Sequence, residues 1–398
     1  MTLSIVSCIL WFAFFCSKSI CAADPRILVP NPMGQYAYGV TTASMIDNAR
    51  EDPFGAGGQA RAVLVSMYYP VKRGADCEPK RNMSYLPTQT AAFEATTLSE
   101  FDIPNGTLQQ LSMQVCRADA AIAGNSDDHP LVVISPGFGS SRLFYSAIAA
   151  AIASVGYKVV SIDHPYDGAF VEFPDGAVAL GKADLLRTQE MAEKAVGVRA
   201  GDVSFLLDQL VSLQVSRQLI PGSDSDVNVT EVGMVGHSLG GATAASAMAN
   251  DRRIAGAVNM DGKLYGKEVI EGGLGRPFLI IASSALNSSE EGDTLGWTST
   301  LDHSRDFKLQ LKLAGSQHAT FSDFALLAQA IGYRDTVPKE LVDTVLGTID
   351  GVRSFKVITT YIIAFLDQVL RHKETALLSK PDERYPEITF ESSVSPLP

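Results

Sequence analysis

The stretch Val232-Gly-Met-Val-Gly236-His237-Ser238-Leu239-Gly240-Gly241-Ala242-Thr243-Ala244 leaves this chain little freedom. A small apolar strand runs into G-x-S-x-G, and an alanine-rich helix follows at once. Joining strand to helix in so few residues demands a tight, strained turn, at which a Cβ on Gly236 or Gly240 would collide across the bend. Ser238 then stands at the helix N-terminus, where free N–H groups and the positive dipole end face any negative charge that forms beside it. The pentapeptide alone is a weak signal; the strand before it and the helix after it give it weight. The plainer alternative is a glycine-rich turn in which Ser238 only caps the helix.

Other short β-branched runs bounded by Gly, Pro and Asp predict further strands: Arg61 to Tyr69, Leu131 to Ser135, Lys158 to Asp163, Ala257 to Met260, Phe278 to Ala282 and Phe307 to Leu313. Most are continuously apolar, as strands covered on both faces are. Helical spacing of apolar residues alternates with them, over Arg142 to Val155, Met191 to Leu213, Leu239 to Met248 and Val352 to Leu370. Alternation of this kind predicts an α/β domain, with a mainly parallel sheet between helices. The segment 72–130 breaks the rhythm and reads as a long surface excursion. The apolar stretch 321–351 reads either as a lid or acyl pocket or as ordinary core packing. No linker divides the body, so residues 23–398 are expected to form one catalytic domain.

With 32 Lys and Arg against 44 Asp and Glu in 398 residues, the formal net charge is −12. No basic run offsets it, which argues against nucleic acid or an anionic membrane surface as partner and leaves small molecules, neutral lipid or sugar surfaces and proteins. Residues 1–22 carry an apolar core too short to span a bilayer, followed by Ala22 and Ala23, and read as a signal peptide; the alternatives are a membrane anchor or an over-extended start. No other stretch is apolar enough to span. Export agrees with four N-x-[ST] sequons, at Asn82, Asn105, Asn228 and Asn287. Cys77 and Cys116, the cysteines beyond the leader, then read as a disulfide, because two thiols cannot fill a tetrahedral zinc shell. No metal or organic cofactor is expected.

A serine hydroxyl needs a base, and the chain has six histidines. In parallel sheets active sites collect beyond the carboxyl ends of strands, and His237, adjacent to Ser238 at the turn, is expected to point away from it, which leaves His164 and His318. Only His318 gives the order Ser, acid, His. The acid is Asp261, one βα unit after Ser238, or else Glu290 or Glu291 after the next strand. Two backbone donors are expected to form the oxyanion hole: Leu239, next to the serine, and Phe138 in the loop Ser135-Pro-Gly-Phe-Gly139.

Taken together, Gly-His-Ser-Leu-Gly-Gly, Pro-Gly-Phe-Gly after LVVIS, Asn259-Met-Asp261-Gly and Gly315-Ser-Gln-His318-Ala-Thr-Phe321-Ser-Asp323-Phe resemble the platelet-activating-factor acetylhydrolase family, in particular its secreted fungal-type members within the α/β-hydrolase superfamily. Pro32-Met-Gly-Gln-Tyr-Ala-Tyr-Gly-Val-Thr-Thr and Asp163-His-Pro-Tyr-Asp-Gly are similar too. The resemblance implies Ser238, Asp261 and His318 as catalytic residues, favours Asp261 over Glu290, and implies a secreted serine esterase for short acyl chains, with an acetylated ether phospholipid among its substrates. Pro136 and Lys263 depart from the family pattern beside the site. Two other roles suit the same scaffold: a tailoring enzyme that releases, cyclises or condenses an intermediate in a natural-product pathway, and a non-catalytic binding protein.

Overall fold

The computed structural model describes residues 26–32, 34–74, 77–78, 80–286 and 293–391. The expected leader 1–22, the sequon Asn287 and the rival acids Glu290 and Glu291 lie outside the described residues.

Among the described residues, nine strands form the central sheet: β1 (Ala37–Glu51), β2 (Ala60–Val71), β3 (Leu131–Ser135), β4 (Lys158–Asp163), β5 (Val232–His237), β6 (Ile254–Met260), β7 (Phe278–Ser283), β8 (Lys308–Leu313) and β9 (Ile388–Phe390). Their spatial order is β9-β8-β7-β6-β5-β3-β4-β2-β1. β3 to β8 pair in parallel, while β1 and β2 add antiparallel pairings at one margin and β9 at the other. This is the α/β-hydrolase type of sheet.

Period-two alternation sends successive side chains of each central strand into opposite layers. Val132, Ile134, Val235 and Leu279 join one apolar cluster with Ile148 and Ile152 of α1 (Ser146–Ser154). Leu131, Val133, Met234 and Ile280 join another with Val203 and Leu207 of α2 (Gln189–Leu210) and Ala244 and Met248 of α3 (Leu239–Asn250). The first layer is completed by Ile358, Ile362 and Phe365 of α4 (Gly351–Arg371). That helix starts where the Asp350 carboxylate accepts the Arg353 amide at 2.8 Å and stops at His372, in the left-handed region at φ 51°. No helix among the described residues is long and apolar enough to cross a membrane.

The segment 72–130 is more than a surface excursion. Strands Arg81–Ser84 and Leu111–Val115 form a small sheet with Ile27–Leu28, and Tyr85, Leu86, Leu111, Met113 and Val115 are buried in the same cluster as α1. Its polar half is what the sequence displays: Asn82 and Asn105 are exposed, while Tyr85, Leu86 and Ala91 between them are buried. Cys77 and Cys116 are joined as a disulfide, with their Cα atoms 4.6 Å apart.

Register aligns the chemistry. Gly236 pairs with Ser135 of β3 on one side and Asn259 of β6 on the other, so the loops leaving β3, β5 and β6 emerge level with one another. β8 lies beside β7 in the same direction and delivers the chain to His318 at the same end of the sheet.

Candidate active site

β5 ends at His237 and α3 begins at Leu239, so Ser238 alone makes the turn, at φ 56° and ψ −123°. Such a conformation in a non-glycine residue costs about 1–3 kcal/mol and persists only where its surroundings impose it. Here the Ser238 amide donates to Met260 O at 2.9 Å, and Gly241 N returns a bond to Ser238 O at 2.9 Å. A Cβ on Gly236 would lie 1.9 Å from Gly240 O, and one on Gly240 would lie 2.1 Å from Ser135 O. The predicted steric demand for glycine is met at both positions.

Asp261 leaves β6 with φ 56° and is fully buried at its side chain. Its Oδ1 accepts the Ser283 amide at 2.7 Å, and its Oδ2 lies 2.7 Å from His318 Nδ1. A carboxylate so placed only accepts, which puts the imidazole proton on Nδ1 and leaves Nε2 as the basic nitrogen. The His318 side chain is 53% exposed, so that nitrogen is open to a ligand. Ser238, Leu239, Asp261 and His318 line one cavity of about 300 Å³, together with Leu186, Leu286, Leu295 and Lys263. The link from His318 to Asp261 is formed; among the described residues Ser238 Oγ and His318 share the cavity without a closed hydrogen bond, as catalytic pairs often do before substrate binds. The Lys263 Nζ sits 5.3 Å from the centre of the Tyr265 ring at the cavity wall.

The other histidines have different work. His164, the rival base, is buried between Ser135 Oγ at 3.0 Å and Asp202 Oδ2 at 2.9 Å, and burial, helped by Arg199, lowers its pKa. His237, the residue before the serine, is not idle: its ring centroid lies 4.6 Å from that of His318. Its Nε2 lies 3.0 Å from His318 O and its Nδ1 2.7 Å from the Tyr145 hydroxyl, which itself accepts the Gly137 amide at 3.0 Å. A carbonyl can only accept, so Nε2 carries the hydrogen and Tyr145 donates to Nδ1. Burial first, and the neighbouring His318 second, hold His237 well below its ordinary pKa and keep it neutral. Sequence reasoning missed this link because Tyr145 is 92 residues away and nothing in its local pattern points to His237.

Phe138 and Leu239, the expected oxyanion donors, flank the serine: Gly137 is so close that a Cβ on it would lie 3.3 Å from Ser238 Cβ. Among the described residues neither the Phe138 nor the Leu239 amide finds a protein acceptor. The stretch 321–351 contributes to the apolar core and to the wall of a second cavity. Leu326 and Leu327 pack into the core, whereas Phe324, Leu341 and Val345 line an apolar cavity of about 270 Å³ with Leu98, Phe101 and Ala319, the residue after His318.

Residues 21–205 and 208–381 match the family described as "Platelet-activating factor acetylhydrolase, isoform II". The chain belongs to that family. Among its acetylhydrolase relatives, the "Probable 1-alkyl-2-acetylglycerophosphocholine esterase" of Arthroderma benhamiae is 30% identical over 392 residues, 94% of this chain and 96% of that one. The platelet-activating factor acetylhydrolase of Canis lupus familiaris is 24% identical over 267 residues, 61% of this chain and 58% of the other. A ferulic acid esterase from Streptomyces cinnamoneus shares the fold with a TM-score of 0.75 and 30% identity, over 92% of this chain and 99% of that one. The acetylhydrolase-family chain is accordingly a carboxylic ester hydrolase with a small-molecule ester as substrate, and the reading as a non-catalytic binding protein gives way.

Proposed function

We propose that this chain is a secreted serine esterase that removes short acyl groups, including the acetyl group of an ether glycerophospholipid, through an acyl-enzyme on Ser238. His318 takes the Ser238 proton as Oγ attacks the ester carbonyl, and the Phe138 and Leu239 amides receive the oxyanion. The alcohol leaves with the proton from His318, and water then cleaves the acyl-enzyme by the same route. Asp261 holds the imidazole in the required tautomer throughout.

The observation that carries this reading is the buried Asp261 carboxylate at 2.7 Å from His318 Nδ1, in the same cavity as the strained Ser238. A cavity of about 300 Å³ walled by Leu186, Leu286 and Leu295 suits a short acyl group, and the apolar cavity beside Ala319 suits an aliphatic chain on the same substrate. The relative named for acetylglycerophosphocholine supports that substrate class. Export is supported by the Cys77–Cys116 bond and by the exposure of Asn82, Asn105 and Asn228.

The test compares turnover of p-nitrophenyl acetate, its long-chain counterpart and an acetylated ether phospholipid by the purified protein, with Ser238→Ala as control. Acetyl turnover that depends on Ser238, with an organophosphate adduct on that residue by intact mass, is the expected result. Turnover undiminished in the control defeats the reading.

A further inference from the structure

Behind the loop 135–139 lies a buried polar network that the acyl-transfer steps do not use. Ser135 Oγ, His164 and Asp202 are connected in the order of a catalytic triad, at 3.0 and 2.9 Å. Ser135 and Asp202 are wholly inaccessible and His164 nearly so, so no substrate reaches this serine and the set is not a second nucleophile. Burial alone would raise the Asp202 carboxyl, but Arg61, paired with it at 2.7 Å, and His164 draw it well below the ordinary range. The charge on this side of the sheet is therefore fixed and paired.

Arg199 of α2 sits between that network and the loop, and it too is buried. Its Nε donates to Asp167 Oδ2 at 2.7 Å and its Nη2 to Asp167 Oδ1, a two-point fork. The remaining donors turn to the loop: Nη1 reaches Pro136 O at 2.6 Å and Ser135 Oγ at 3.5 Å, and Nη2 reaches Gly137 O at 3.3 Å. The Asp167 backbone joins in, accepting the Gly139 amide at 3.1 Å. Two successive loop carbonyls are thus held toward Arg199. A trans peptide places its C=O and N–H on opposite sides. Fixing Gly137 C=O on the Arg199 side fixes Phe138 N–H on the other, and Gly137 itself abuts Ser238.

We propose that Arg199, oriented by Asp167, is a positioning residue that sets the direction of the Phe138 amide and so preorganises the oxyanion hole. This rests on the acyl-enzyme reading above. Arg199 touches neither substrate nor triad; it acts through the Pro136 and Gly137 carbonyls. Lysine cannot replace it, since a single ammonium cannot make the Asp167 fork and reach both carbonyls.

The experiment compares wild type with Arg199→Lys and Asp167→Asn, using p-nitrophenyl acetate turnover, inhibition by a trifluoromethyl ketone that forms an oxyanion on Ser238, and thermal unfolding. Arg199→Lys is expected to lower kcat about 10- to 100-fold with KM within about threefold, and to weaken the ketone by the same factor as kcat/KM. The near-isosteric Asp167→Asn, which keeps Arg199 but loosens its fork, is expected to lose about tenfold in kcat and in ketone affinity. Unchanged kcat and ketone affinity in a folded variant overturn the proposal, as does a rise in KM alone. Loss of folded protein in both variants also overturns it, because the network then serves stability and not loop direction. A wild type inert toward the ester would instead defeat the acyl-enzyme reading.

Discussion

Tyr85 donates its hydroxyl to Asp323 at 2.7 Å, and through that bond the segment 72–130 reaches the chain just beyond His318. The same carboxylate accepts the Ala147 amide at 2.7 Å and the Ile148 amide at 3.3 Å, at the start of α1. Three elements distant in sequence therefore meet on one buried side chain.

This arrangement makes stability depend on pH. Burial pushes the Asp323 carboxyl up to about 7, against the opposing pull of its three donors. Over the interval from about 4 to about 7 the folded chain keeps a proton that the unfolded chain has released, so this group's contribution to stability is greatest below about 4 and is lost as pH rises through 7. Asp323→Asn removes the slope. The difference in Tm between wild type and variant is expected to shrink steadily from pH 4.5 to 7.5, and a difference independent of pH would show that Asp323 does not titrate there.

Ser238, His318 and Asp261 act as a unit, so their removal is expected not to add. Ser238→Ala and His318→Ala should each reduce kcat on p-nitrophenyl acetate by about 10⁶, and the double variant should be no worse than either. Asp261→Asn is expected to cost about 10⁴, because the amide would favour the wrong imidazole tautomer while the geometry survives. Multiplicative losses in the double variant would place the two residues in separate steps.

Much of this site was legible because each of its parts is local. The demand for glycine at 236 and 240, the strand runs at 131–135 and 158–163, and the positions of Asp261 and His318 just after strands all follow from short patterns. β1 was not legible. Its residues AYGVTTASMIDNARE are half exposed and rich in Thr, Ser, Asn and Asp, and only its long antiparallel pairing with β2 makes them a strand. Nor could sequence assign work to His164, Arg199 or Tyr145. The contacts that define their work, His164 with Ser135, Arg199 with Pro136 and Tyr145 with His237, join residues 29, 63 and 92 positions apart, and no helix or strand period encodes such contacts.

The Cys77–Cys116 bond closes a loop of 39 residues, with both cysteines buried. Loop-closure entropy for that length sets a stabilisation of about 4 kcal/mol, or somewhat less if the reduced chain keeps structure. Because the bond lies away from the residues lining the catalytic cavity, reduction is expected to lower Tm while kcat at 25 °C stays within about twofold. Calorimetry with and without dithiothreitol, alongside an activity assay on each sample, checks both halves of that expectation.

Tyr145→Phe isolates the remaining link. The hydroxyl accepts Gly137 N–H at 3.0 Å and donates to His237 Nδ1 at 2.7 Å, so its loss strands one buried donor and one buried acceptor. At about 1–3 kcal/mol for each group, unfolding in urea should show a loss of about 2–6 kcal/mol. His237 keeps its bond to His318 O at 3.0 Å but is no longer held from its other nitrogen, and the Gly137 amide is released beside the serine. A fall in kcat of about tenfold, with KM little changed, is therefore expected. Burial pushes the Tyr145 hydroxyl up to about 12, so it stays protonated across the working range and the size of the effect should not vary between pH 6 and 9. Full activity in a destabilised variant would confine Tyr145 and His237 to holding the fold.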